Sequence, residues 1–108
     1  MADELIFTVE FHDELEGGLP DAIREQALDG LRKAARGVDD ISHALVNIKK
    51  PAQKRDTAYL YEITVRLWMD GEDVVATETG EILDGTLRNV MDVIDRQVKK
   101  QRDRKRGI

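Results

Sequence analysis

TGEILDGTLRNVMDVIDRQVKKQRDRKRGI, residues 79–108, joins a helical apolar stripe to an abrupt reversal of charge. Leu83, Leu87, Val90, Met91, Ile94 and Val98 recur at spacings of three and four, which gives one helix face to a core. The stripe then stops and the chain turns basic. Residues 96–106 hold Arg96, Lys99, Lys100, Arg102, Arg104, Lys105 and Arg106 against the single acid Asp103, a net of +6. Residues 1–95 carry a net of −11. An acidic chain has therefore gathered its surplus positive charge at one helical end. Such an end suits a polyanion, and the acidic remainder argues against nonspecific coating of nucleic acid.

Working back from that helix, the same periodicities define the rest. Tyr59 to Met69 alternates strongly, with Tyr59, Tyr61, Ile63, Val65, Leu67 and Met69 on one side. Leu60, Glu62, Thr64, Arg66 and Trp68 take the other, the pattern of a half-buried strand. Asp70-Gly71-Glu72-Asp73 reads as a hairpin turn, and Val74 to Thr79 returns as its partner. Upstream, Ile41 to Lys49 is a strand with Ala44, Val46 and Ile48 on one face, and Leu5 to Phe11 is another. Between them Pro20 and Asp21 open a helix, Ile23, Ala27, Leu31, Ala34 and Val38 form its stripe, and Gly37 stops it.

The order is β-α-β-β-β-α, an α+β fold. The first helix leaves room for a right-handed crossover, so strands one and two should be parallel. Strands two, three and four should form an antiparallel meander. Each helix has one apolar stripe, so both should pack on one face of a four-stranded sheet. Glu62, Thr64, Arg66 and Trp68 would then line the open face. Residues 5–102 form a single domain on this reading, and residues 103–108 are a basic tail. Val98 is the last good core position, so the chain beyond it should overhang the domain.

Composition excludes several classes. With 108 residues the chain makes one domain, and with no cysteine it has no disulfide or thiolate metal site. The first residues, MADELIFTVEFHDE, place acids where a signal peptide needs a basic region. No apolar run approaches the ~20 residues that span a bilayer. A cytoplasmic protein with no membrane partner is expected.

The residues give little support to catalysis. Ser42 precedes His43, and neighbours on a strand point to opposite faces, so they make no nucleophile–base pair. His12 and His43 are the only histidines and have no metal-ligand spacing. Asp70, Glu72 and Glu81 fall at calcium-loop spacing, but Val75 stands where that loop needs glycine. Neither a cofactor, a metal nor a small-molecule substrate is expected.

The basic groups are the candidate site. Arg88, Arg96, Lys99 and Lys100 lie roughly opposite the stripe of the last helix, at 100° per residue. Arg32, Lys33 and Arg36 fall at the end of the first helix. For either helix alone, these charges are explained by complementing the helix dipole and solvating a surface. Two helices side by side, joined by Lys49, Lys50, Lys54 and Arg55, would make one continuous basic surface.

Two runs carry a resemblance to a known family. Asp21-Ala22-Ile23-Arg24-Glu25, followed by Leu31-Arg32-Lys33, resembles the Asp-Ala-Leu-Arg-Glu opening and later Leu-x-Lys of the ribosome hibernation promoting factors. These are also called ribosome-associated inhibitor or sigma-54 modulation proteins. Asp92-Val93-Ile94-Asp95-Arg96-Gln97-Val98-Lys99-Lys100 is similar to their Asp-Lys-Leu-Glu-Arg-Gln-Leu-Arg-Lys. The resemblance covers about Leu5 to Arg102 and matches the element order. It implies a short-form factor, without the dimerisation domain of long members and therefore a monomer when free. It implies binding of ribosomal RNA in the small subunit near the decoding region, where messenger and transfer RNA otherwise sit. Carried over by position, the RNA-facing groups are Arg32, Lys33, Arg36, Arg88, Arg96, Lys99, Lys100 and Arg102.

Two other readings compete. A double-stranded-RNA-binding domain shares the helix–three strands–helix core, but it reads phosphates with lysines at the start of its last helix. Here that start is Glu81-Ile82-Leu83-Asp84. A protein-interaction module would use the open sheet face and the acidic body.

Overall fold

The computed structural model describes residues 7–15, 17–38, 40–50 and 61–105. Its elements are β1 (Thr8–Asp13), α1 (Asp21–Ala34), β2 (Ile41–Lys49), β3 (Tyr61–Met69), β4 (Val74–Gly80) and α2 (Leu83–Lys105). The β-α-β-β-β-α order expected from the periodicities is the order found. Leu5, Ile6, Tyr59 and Leu60, which the alternation assigns to strands, lie outside the described residues.

Pro20 caps α1 in extended conformation with no side-chain bond, and Asp21 sits in its first turn. The fixed φ of proline and an acid at the positive helix end suit that start. Ile23, Ala27, Leu31 and Ala34 are the buried stripe, and the chain leaves the helix through Gly37 at φ 73°. The sheet runs β1-β2-β3-β4. β1 is parallel to β2, while the two later pairs are antiparallel.

The helix-covered face stacks Ala44 on Leu67, Val46 on Val65 and Ile48 on Ile63. β4 adds Val74 and Ala76 to that face. Leu31, Leu87, Val90, Ile94 and Val98 press down on it and are wholly buried. Both helices lie on this one side. Strict alternation in β2 fails at one point. Ile41 is buried out of phase with Ala44, because the register with β3 shifts between Ile41 and His43. The extra residue of a bulge turns the next side chain to the other face, and Ser42 donates to the Trp68 carbonyl at 3.3 Å.

The entry to α2 is tight. The buried Thr86 hydroxyl donates to the Ile82 carbonyl at 2.7 Å, and a Cβ placed on Gly80 would collide with the same Oγ1. Glycine is required here by space. Gly80→Ala should cost ~1–3 kcal/mol, as overpacking does. Thr86→Ala removes the obstructing atom, so in the double variant the two losses should be less than additive. Thermal melts of the four proteins check this, and strict additivity would mean that no collision exists.

The helices run parallel. Gln26 donates to the Asp84 carbonyl at 2.9 Å near their beginnings, and Lys99 reaches the Lys33 carbonyl at 3.4 Å near the end of α1. Their C-terminal halves therefore lie together. α2 continues past Val98 to Lys105, and this end does not hang free, contrary to the sequence expectation. Gln101 donates to the Glu72 carbonyl and carboxylate, both at 3.2 Å, and Arg104 approaches the same carboxylate at 3.5 Å. The β3–β4 turn thus holds the last turns of α2 through polar contacts that an apolar stripe does not register.

Candidate nucleic-acid interface

Parallel packing brings the basic ends of α1 and α2 to one end of the molecule. Arg32 and Lys33 come from α1, Arg36 from the turn that follows it, and Arg96, Lys99, Lys100 and Arg102 from α2. These groups are not equivalent. Arg32 pairs with Asp29 at 2.6 Å and Lys99 with Asp95 at 2.6 Å, each one helical turn away. Arg96 donates to the Asp92 carbonyl at 3.4 Å. Lys33, Arg36, Arg88, Arg96 and Lys100 have no ion pair among the described residues and are exposed. They are the groups available to an anion without first leaving a carboxylate.

Arg102 has another setting. Its side chain is 28% exposed, and its Nε lies 3.6 Å from an Asp103 carboxylate oxygen, beyond hydrogen-bonding distance. That Nε is buried with no hydrogen-bond partner. A Cβ on Gly37 would stand 3.4 Å from Arg102 Nη1. The guanidinium is thus laid against the turn that ends α1, where a cation meets the negative end of the helix. Arg102 lies between the two helix ends.

Among the described residues, Lys49 and Lys50 stand apart from this cluster. Lys49 lies at the end of β2, pairing with Glu62, which pairs with Thr79. That is the sheet end where α1 and α2 begin, opposite the cluster. Lys49 also follows the buried Ile48 and so turns to the open face. Lys50 adjoins it, and Lys54 and Arg55 lie outside the described residues. Arg88 lines the cleft between the helices together with Gln26 and Asp29. Helical spacing shows that cations share a face, but their partners depend on which neighbouring turn carries an acid.

The open face carries its own network. Glu10 bridges both histidines, with His12 Nε2 3.0 Å from Oε2 and His43 Nε2 3.0 Å from Oε1. The His43 ring meets Trp68 edge-on at 4.7 Å. Arg66 covers the Trp68 ring at 4.9 Å and pairs with Asp73 at 2.7 Å. A stacked base would have to displace that guanidinium. The His12 hydrogen bond, and then the charge of His43, hold the Glu10 carboxyl below its ordinary value of 4.5. A depressed carboxyl pKa stabilises the fold above the unfolded-state value, and the contribution is lost as pH falls through the folded value. Glu10→Gln should therefore lower the melting temperature at the upper end of the range from pH 3 to 6 and bring it to parity with the parent at the acid end. A constant difference across melts from pH 3 to 6 would show that the bridge contributes no proton linkage.

Among the described residues no group of three or more His, Cys, Asp or Glu is placed to hold a metal, and no helix is long and apolar enough to cross a membrane. Comparison with known proteins bears on the whole domain. No curated sequence matches. The structure is similar to a ribosomal subunit interface protein from Coxiella burnetii, with TM-score 0.67 at 16% identity, covering 90% of this chain and 99% of that one. It is also similar to the N-terminal domain of Thermus thermophilus Protein Y, with TM-score 0.66 at 21% identity, covering 88% of this chain and 96% of that one. At such identities these likenesses establish the fold. The model of one family matches residues 17–106, both helices and three of the four strands included. By that match the chain belongs to the sigma 54 modulation protein / S30EA ribosomal protein family.

Proposed function

We propose that this protein is a ribosome-associated hibernation factor of the cytoplasm. It binds the small ribosomal subunit near the decoding region and denies that channel to messenger and transfer RNA. The observation that carries the reading is the parallel helix pair, which concentrates basic groups at one end of an otherwise acidic domain, in a chain matched by a ribosomal protein family. Lys33, Arg36, Arg96 and Lys100 are the first contacts to phosphate, with Arg32 and Lys99 joining once Asp29 and Asp95 release them. The acidic body keeps the protein off nucleic acid in general, so the charged end engages only where the domain's shape also fits. The action is occupancy, with no chemical step, cofactor or metal, and the free protein is a monomer.

The reading is tested with purified small subunits. The protein should co-sediment with them, inhibit cell-free translation and dissociate steeply as salt rises, since phosphate contacts release counterions. Co-sedimentation that ignores salt, or translation that proceeds at saturating protein, would overturn it.

A further inference from the structure

The sheet has two outer edges, and they are built differently. β1 carries Glu10, His12 and Asp13 within its six residues, and charges of this kind deter an added strand. β4 pairs with β3, and its other edge has no strand partner among the described residues. Its seven residues, VVATETG, hold neither proline nor a cation, and Glu78 is their one charge. Among the described residues the large apolar side chains that stand exposed are Val75, at 45%, and Ile82, at 68%. One lies on this strand and the other just beyond it. On the helix-covered face α2 runs back along β4: Thr86 abuts Gly80, while Gln97 and Lys100 share a hollow with Val74. The α1 side of α2 is closed, since a Cβ on Gly30 would lie 2.7 Å from Met91 Cγ. Its other flank is open, and there Val93, Arg96, Gln97 and Lys100 line a hollow of about 270 Å³. Glu78 is half-buried on the helix-covered face and, like Lys100, has no ion pair among the described residues.

We propose that β4 pairs antiparallel with β4 of a second copy, about a two-fold axis at Thr77, and that the pairing covers Lys100. Centring on Thr77 matches all seven residues of the strand. It sets Val75 opposite the partner's Thr79 and Ala76 opposite the partner's Glu78, so no like charges face each other. Centring on Glu78 would oppose two carboxylates. The Thr77 hydroxyl already meets that of Thr64 at 2.9 Å, and threonines opposed across strands pair favourably. α2 packs over β3 and β4. In one continuous sheet the two copies of α2 would therefore stand two strand spacings apart, about 9.6 Å, which is a helix-packing distance. They run in opposite directions, with Val93 near the axis. Lys100, above the Val74 end of its own strand, then comes over the partner's Glu78. The lone acid that discourages other strands thereby favours a second copy, which brings the matching cation. A seven-residue edge and one helix flank are a small contact beside the roughly 1,200–2,000 Å² of stable interfaces. The dilute chain therefore stays a monomer, and pairing sets in as its concentration rises. Lys100 is also among the groups proposed to meet ribosomal phosphate, so a paired chain is withheld from RNA.

That last consequence rests on the proposed ribosomal RNA target; the pairing itself does not. Sedimentation equilibrium of the full chain, from micromolar to millimolar concentration, should show the mean mass rising toward twice that of the monomer. Thr77 is exposed, so Thr77→Lys and Thr77→Glu should each keep the far-ultraviolet spectrum of the parent. Each alone should stay monomeric over the whole range, because the axis sets the new charge against its own copy. An equimolar mixture of the two should regain the dimer, since lysine then faces glutamate. A parent that stays monomeric at millimolar concentration, a Thr77→Lys chain that pairs like the parent, or a mixture that stays monomeric overturns the pairing. Small ribosomal subunits are then added at a concentration where the parent is dimeric. One chain per small subunit is expected to co-sediment, with the excess left as free dimer. Two chains per small subunit would overturn the covering of Lys100. If the chain pairs yet binds no small subunit, the pairing stands and the ribosomal reading fails. If it binds small subunits yet never pairs, the pairing fails and the ribosomal reading stands.

Discussion

Changing Arg36, Arg96 and Lys100 together to glutamate is expected to abolish co-sedimentation with the small subunit and to restore cell-free translation, while the protein stays folded. All three side chains are exposed and free of ion pairs among the described residues. Exposed substitutions of this kind usually move stability by less than ~0.5 kcal/mol each. Their effect on binding is much larger, since three positive charges become three negative ones where phosphate is to be met. If each cation neutralises one phosphate, replacing them with neutral glutamine lowers the salt slope by about two to three. Lys99→Glu is a weaker probe of binding and a stronger one of folding. Lys99 already serves Asp95 and the Lys33 carbonyl, and its reversal would leave two acids one turn apart. A folded triple variant that still sediments and still inhibits would remove this cluster from the mechanism.

Leu87→Ala and Ile94→Ala are expected to destabilise the domain by ~2–5 kcal/mol each, the range for truncating a fully buried aliphatic side chain. Both have 0% exposure. They lie on the α2 stripe above the sheet, where neither helix can shift to fill the space without losing the contact between Gly30 and Met91. In a domain near this size each kcal/mol moves Tm by about 4–8 °C, so melting should fall by at least ~8 °C. Val93→Ala, on a half-buried flank of the same helix, should cost less. Equal melting of Leu87→Ala and the parent would mean that the helix register is wrong.

The architecture was legible because its signals are strong and local. Alternation at Ile63, Val65 and Leu67, helical spacing at Leu87, Val90 and Ile94, and the link lengths between them leave few topologies. The Ile41 bulge was not legible, since nothing in Ile41-Ser42-His43 marks an extra residue; it follows from pairing with Met69 and Trp68. The end of α2 was missed for a similar reason. Gln101 and Arg104 find Glu72 only because the β3–β4 turn folds beside them, and polar contacts between distant segments have no sequence period. In the candidate interface, the cations were legible and their partners were not. Asp29 and Asp95 look like ordinary surface acids until helical geometry sets them against Arg32 and Lys99. Lys49 is as basic as Lys33 in the sequence, yet chain direction places it at the other end of the sheet.

The parallel pairing of β1 with β2 also bears on the order in which the molecule is expected to assemble. The β3–β4 hairpin closes across residues 70–73, an event of about 1–10 μs for hairpins. β1 reaches β2 only after residues 14–40, α1 included, have closed into a loop, and long closures carry the larger entropy penalty. β1 therefore docks late. Until it does, one backbone edge of β2 is unpaired beside Ala44, Val46 and Ile48, a template on which another nascent chain can add. His43, Asn47 and Lys49 put polar or charged groups on the opposite face of the same strand, a composition that discourages edge-to-edge growth.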